Sequence, residues 1–214
     1  MKAYQNPQEG SLFSPQRCVI LIDASSRMAG APVEALNEGL RYFQRALQDE
    51  PDLSLSLELA VVVYGQGTQV VRAPQLAISG ALPQIQAMGN ATPLAGLRTL
   101  EPLLQPNNPS PTWIITLCGP GAHEKSTGLV HQMEELEWAV KLAAHPTLTV
   151  CLDGSVPAFL PPGEQAFQLK ELRFVQFFDW LVEAMNFRLL CQDDLPYTTT
   201  YSWAHVNPLS HQAP

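Results

Sequence analysis

What this sequence lacks narrows its function before any motif is found. No Lys/Arg cluster is longer than two residues, and 20 acids against 12 bases leave a formal charge of −8 over 214 residues. Without a basic patch there is no electrostatic footprint for a phosphate backbone, so nucleic acid is not an expected partner. No apolar stretch approaches the roughly 18 residues needed to span a bilayer, so membrane insertion is not expected either. Cysteine is sparse: Cys18, Cys118, Cys151 and Cys191 lie far apart and form no Cys-x-x-Cys pair. They read as scattered buried thiols rather than a zinc site or a disulfide framework. Residues 1–15 hold one lysine and no apolar h-region, which argues against a secretory signal and for a reduced, cytoplasmic compartment. Charged residues make up 15% of the chain, low against about 25% in typical soluble domains.

What is present is a regular alternation of elements. Residues 1–15, with Pro7, Gly10 and Pro15, form a loose lead-in. Cys18 to Ile22 is an uninterrupted apolar run, the pattern of a central strand buried on both faces. Pro32 suits the first turn of a helix, and Val33, Leu36, Leu40, Phe43 and Leu47 give that helix one apolar face to about Asp49. Leu55, Leu57, Leu59, Val61 and Val63 alternate as a long strand ending at Tyr64. Gly65 and Gly67 make a turn, and Gln69 to Arg72 pair back as a short antiparallel strand. A second helix is expected from Thr92 to Leu104, shortened or kinked by Pro102. Trp113 to Leu117 is a buried strand. Leu129, Met133, Leu136, Val140 and Ala143 mark the apolar side of a third helix. Leu148 to Leu152 and Phe167 to Leu169 are further strands, and Phe174, Phe178, Leu181, Met185 and Leu189 line a closing helix. This order predicts an α/β domain over residues 16–191, with a mainly parallel sheet between helices. A tail, 192–214, follows it. There, Asp193 and Asp194 read as a solvated turn, and the aromatics around Trp203 need either the domain's own surface or a second chain to bury against.

Three segments converge on the carboxyl edge of such a sheet, where open α/β folds bind ligands. They are the turn Asp23-Ala-Ser25-Ser26-Arg27, the loop Gly89-Asn-Ala-Thr92-Pro93, and Leu117-Cys118-Gly-Pro-Gly121. This layout resembles the von Willebrand factor A (VWA) domain, whose metal-dependent adhesion site takes D-x-S-x-S, a threonine and an aspartate from these three places. The resemblance covers roughly residues 16–190. Its most specific parts are Asp23-Ala-Ser25, Pro32-Val-Glu-Ala-Leu-Asn-Glu-Gly-Leu-Arg41 and Ala91-Thr-Pro-Leu94. Within the family the wording is most similar to the small bacterial stand-alone branch related to the tellurite-resistance protein TerY. Phe174 to Leu190 also resembles that branch's terminal helix. The resemblance implies a Rossmann-like three-layer αβα fold with one short antiparallel edge strand.

The same resemblance implies a loosely held magnesium, but only Asp23, Ser25 and Thr92 match. Arg27 stands where the second serine is expected, and Cys118 where the aspartate is expected. Losing a carboxylate and gaining a guanidinium both disfavour a cation. Two unit charges 4 Å apart at an effective dielectric near 20 interact by about 4 kcal/mol, and a divalent ion doubles this. We expect Arg27 to fork onto Asp23 and replace the metal with an ion pair; the alternative is an arginine turned to solvent. A Cys118 thiolate with His123 as a zinc pair is a further, weaker option.

The leading expectation is therefore a non-catalytic protein-interaction module with no cofactor. Its binding face comprises Asp23, Ser25, Ser26, Arg27, Thr92 and Cys118. By resemblance alone, its setting is a bacterial stress-response system with a Ser/Thr kinase or phosphatase partner. Thr198 to Thr200 are candidate phosphoacceptors in such a system. One alternative retains Mg2+ on Asp23, Ser25 and Thr92. Another is a hydrolase with Ser25 or Cys118 as nucleophile and His123 as base, although the Gly-x-Ser-x-Gly elbow is missing, as are glycine-rich phosphate loops.

Overall fold

The computed structural model describes residues 15–104, 112–121, 128–154, 156–161, 164, 166–191 and 201–205, the side chains of 188–191 aside. The apolar run expected to be a central strand is β1 (Gln16–Asp23), whose last six residues are all buried. It lies between β2 (Leu57–Gly65) and β4 (Trp113–Cys118), parallel to both. With β3 (Gly67–Leu76), β5 (Thr147–Cys151) and β6 (Ala166–Gln168) the six-stranded sheet has the order β3-β2-β1-β4-β5-β6. Only β3 runs antiparallel.

Two cores flank the sheet, and together they make the three expected layers. On one face, α1 (Ala31–Gln48) and α5 (Phe174–Cys191) cover Ile20, Ile22, Leu59 and Ile115. Phe43 of α1 stacks on Phe178 of α5 with ring centroids 4.9 Å apart. On the other face, α3 (Pro93–Leu100) and α4 (Leu129–Leu142) cover Val19, Leu21, Val62, Tyr64 and Ile114. The buried Asn37 of α1 donates to Ile85 O at 2.9 Å and accepts Ile85 N at 2.7 Å, which holds the segment after β3 against the first layer.

Several elements depart from the sequence reading. Leu55 does not belong to the strand: Pro51–Ser56 is a short helix, α2, and Leu55 is exposed on it. The pairing strand β3 is ten residues long, not four, with register irregularities opposite Leu59 to Val62. The second helix ends at Leu100, and Pro102 sits in a following 3-10 turn over Glu101–Leu103. In α4 the helix is where periodicity puts it, but the face is reversed. Trp138, Ala139 and Leu142 are buried, while Leu129, Met133, Leu136 and Val140 face solvent. Trp203 is fully buried on the domain's own surface, among Phe167, Phe177, Trp180 and Tyr201. No described helix is long and apolar enough to cross a membrane.

Candidate functional site

The site is built from backbone before side chains. β1 ends at Asp23, in register with Tyr64 of β2, and β4 ends at Cys118, paired with Cys151 of β5. The chain then turns from Asp23 through a 3-10 segment, Ser26–Met28, into α1. A lattice of main-chain bonds holds the neighbouring loop against this turn. Ala24 N donates to Tyr64 O at 2.7 Å, Met88 N to Ala24 O at 2.8 Å, Ser26 N to Gly89 O at 2.8 Å and Ala91 N to Gly65 O at 2.8 Å. The approach is too close for side chains at two glycines. A Cβ on Gly65 would lie 2.3 Å from Ala24 O, and one on Gly89, at φ +74°, would lie 2.5 Å from Gly65 O.

Within this frame the Asp23 carboxylate is fully buried. Its Oδ1 accepts Ser25 N at 2.8 Å and its Oδ2 accepts Gly119 N at 3.1 Å, so it ties the β1 turn to the loop after β4. Ser25 Oγ is buried with no hydrogen-bond partner. Ser26 is exposed, and its hydroxyl donates to Asn90 Oδ1 at 2.9 Å. Thr92 is exposed at the N-cap of α3, where Oγ1 accepts Ala95 N at 3.4 Å.

Arg27 takes neither expected orientation. It is half-buried and its Nη1 donates to Gly121 O at 3.3 Å, while Gly121 N donates to Asp153 Oδ2 at 2.7 Å. The expected Arg27–Asp23 ion pair is not formed. The two backbone amides already satisfy Asp23, and the guanidinium reaches past it to the β4 loop. Cys118 is fully buried beside Tyr64 and Asp23. The neighbouring Cys151 thiol, then burial, then the nearby Asp23 carboxylate push its pKa well above the ordinary thiol range. Burial and this shift favour the protonated thiol over the thiolate.

The structure thus brings Asp23, Ser25, Arg27 and Cys118 to one edge of the sheet, with Ser26 and Thr92 on its exposed rim. His123 and Thr198 to Thr200 lie outside the described residues, as do Asp193 and Asp194. Among the described residues no group of three His, Cys, Asp or Glu could hold a metal ion. Sequence reasoning missed Asp153. Its only signal is a carboxylate just after β5, near a strand end as Asp23 is at the end of β1. It also missed a cavity of about 250 Å3 beside Ala24 and Gly65, lined by Gln66, Gln69, Gln84 and Gln86. Carboxamides supply both donors and acceptors there, which suits a polar ligand surface.

A mainly parallel sheet in this order with one antiparallel edge strand between two helical layers is the fold of von Willebrand factor A domains. Solved structures agree. The chain is similar to a von Willebrand factor type A protein from Catenulispora acidiphila, with 13% identity, coverage of 80% of this chain and 43% of that one, and a TM-score of 0.62. It is also similar to the ArnB paralog VWA2 from Sulfolobus acidocaldarius, at 13% identity, 80% and 45% coverage, and a TM-score of 0.54. A third is proximal thread matrix protein 1 from the mussel byssus, at 11%, 81% and 48%, and 0.54. The chain spans less than half the length of each of these. No protein-family model and no curated protein matches the sequence.

Proposed function

We propose that this chain is a protein-interaction module of VWA type whose binding face at the carboxyl edge of the sheet works without a bound metal. The observation that carries this reading is the bond from Arg27 to Gly121 O, which keeps a fixed positive charge at the loop where the resemblance expects a carboxylate. The residues present do not fit magnesium, which wants six hard oxygens in near-octahedral array. Both oxygens of Asp23 accept amides, the Thr92 hydroxyl caps a helix, and Cys118 is a soft, protonated thiol. A partner would meet Ser26, Thr92 and the glutamine-lined cavity, all on the accessible side of this edge.

One observation favours a second reading. A buried hydroxyl without a partner is costly, and Ser25 Oγ is one. With Asp23 and Thr92 it is the group that would hold Mg2+ were the ion present. Titration with millimolar Mg2+ or Mn2+, followed by calorimetry and thermal melting, separates the two. The expected result is an unchanged Tm in the parent and metal binding gained by the double variant Arg27→Ser, Cys118→Asp, with its fold checked by circular dichroism. A rise in the parent's Tm that Asp23→Ala abolishes would overturn the metal-free account.

The resemblance to the TerY-related branch supplies a finer expectation. The partner is a Ser/Thr kinase or phosphatase of a bacterial stress-response system, met in the cytoplasm. Co-purification of the chain with kinases and phosphatases encoded beside it tests this. Loss of such a complex on Ser26→Arg or Thr92→Arg would assign it to the sheet edge, and absence of any complex would remove the expectation.

A further inference from the structure

The segment between β3 and α3 carries a free strand edge. Residues 81–88 contain no turn or bend, and their exposure alternates: Gln84, Gln86 and Met88 are exposed, while Ile85 between them is buried. Ile85 directs both of its backbone groups at one side chain, its N–H to Asn37 Oδ1 and its C=O to Asn37 Nδ2. In an extended chain the backbone groups of successive residues point to opposite sides. Those of Gln84 and Gln86 therefore point away from α1, and neither residue has a hydrogen bond to another described residue. No residue of α1 lines the cavity of about 250 Å3, so the cavity lies on this free side. Its lining joins Val63 and Val71 of the sheet to the four carboxamides of Gln66, Gln69, Gln84 and Gln86. It is large enough for a side chain rather than one water.

The lining selects the ligand. Among the described residues no charged group borders the cavity, so a charge placed in it would lose water and gain no counter-charge. Carboxamides donate and accept at once, as a peptide does. Gln84 and Gln86 repeat their backbone groups at about 6.7 Å, the two-residue step of an extended chain. We infer that this edge receives an extended, uncharged stretch of a partner protein, which pairs with the backbone of Gln84 and Gln86 and sets an Asn or Gln side chain among the four glutamines. The inference rests on the reading of the sheet edge as a protein-binding face and names the chemistry of what binds there. Added strands of this kind take affinity from main-chain bonds and specificity from the pocket for an alternate side chain.

The test uses the full chain, isotope-labelled for NMR, and the peptide acetyl-Thr-Val-Asn-Val-Thr-amide. Saturable shifts are expected at the Gln84 and Gln86 backbone amides and at the side-chain amides of the cavity, with equal affinity at physiological and high salt. Binding should be at least about fivefold weaker, the worth of one or two hydrogen bonds, after each of three changes: Asp for Asn in the peptide, N-methylation along the peptide backbone, and Gln66→Ala with Gln69→Ala in the chain. The substituted side chains are exposed, and an unchanged thermal melt confirms that the variant is folded. Absent binding overturns the inference, as does equal binding after any of the three changes or a loss of affinity at high salt. Two further results would overturn it by naming another occupant. One is a concentration-dependent dimer that the Gln66→Ala, Gln69→Ala variant loses, which would assign the edge to a second copy. The other is a nuclear Overhauser contact between residues 1–14 and the Gln84 or Gln86 amide in the free monomer, which would assign it to the chain's own N-terminal segment. The magnesium titration judges the metal-free reading of the sheet edge separately, so either can fail while the other stands.

Discussion

Asp23 gives one carboxylate oxygen to Ser25 N and the other to Gly119 N, and the two amides belong to different loops. The residue is therefore a clamp across the sheet edge. Gly119 must be glycine for it, since a Cβ there would lie 2.7 Å from Asp23 Oδ2. The identity of Asp23 was legible because a carboxylate ending a buried run is unusual; its partners were not, because backbone amides carry no side-chain signal. Arg27 shows the same gap. Its charge was plain from the sequence, but its target was set by how far the β4 loop reaches over the turn. Cys118 offers a test at this scale. An ordinary thiol, with a pKa near 8.5, is partly ionised at pH 8 and alkylates readily. Buried beside Cys151 and with its pKa raised, Cys118 should stay unmodified by iodoacetamide at pH 8 in the folded chain and label fully in urea. Rapid labelling of the folded chain, mapped by mass spectrometry, would revive the thiol as a nucleophile.

Elements were legible where one apolar set dominates and is also the buried one. The periodicities of α1 and β1 leave no choice of face, and both are found as expected. Their packing leaves little slack. Gly39 of α1 lies against α5, and a Cβ there would come 2.7 Å from Phe174 Cβ and 2.9 Å from Phe178 Cδ2. In an open helix Gly→Ala gains about 1 kcal/mol. Here overpacking costs about 1–3 kcal/mol, so Gly39→Ala should lower stability by up to about 2 kcal/mol net of that gain, at an unchanged urea m-value. A stabilised variant would show that α1 and α5 separate easily. Helix α4 is the contrary case. It carries two apolar sets, the five-residue stripe from Leu129 and the compact trio Trp138, Ala139 and Leu142. Counting favoured the first, but the trio holds the bulkiest ring, and Lys141, 4.8 Å from the centre of that ring, ties the same flank to Glu101. Helix α2 was missed because Leu55 continues the alternation of Leu57, Leu59, Val61 and Val63; Pro51 at its first turn was the cue.

For the molecule as a whole the problem is the two edges of the sheet, which expose unpaired backbone to association. β3 carries Pro74 and register irregularities. At the other edge, residues 201–205 lie along the end of β6. Leu169 bridges Ala204, Lys170 N donates to Trp203 O at 2.8 Å, and His205 N donates to Gln168 O at 3.1 Å. Trp203 anchors this segment, with its ring centroid 5.0 Å from that of Phe177 and 5.2 Å from that of Trp180. Trp203→Ala should therefore cost about 3–5 kcal/mol, the usual loss for a buried tryptophan, with a matching fall in Tm. A melt within a degree of the parent's would mean that the segment adds nothing to the domain.

Apart from α2, the order and type of the elements followed from the sequence alone, because apolar period and turn residues act over a few positions and need no distant partner. So was the shortage of oxygen ligands at the sheet edge, since Arg27 and Cys118 are what they are in any fold. Tertiary structure decided what those residues touch: Arg27 on Gly121 rather than Asp23, Cys118 paired in register with Cys151 across β4 and β5, Trp203 folded back onto its own domain. It also decided which side of α4 faces water, because a helix with two apolar sets buries the one its neighbours can hold.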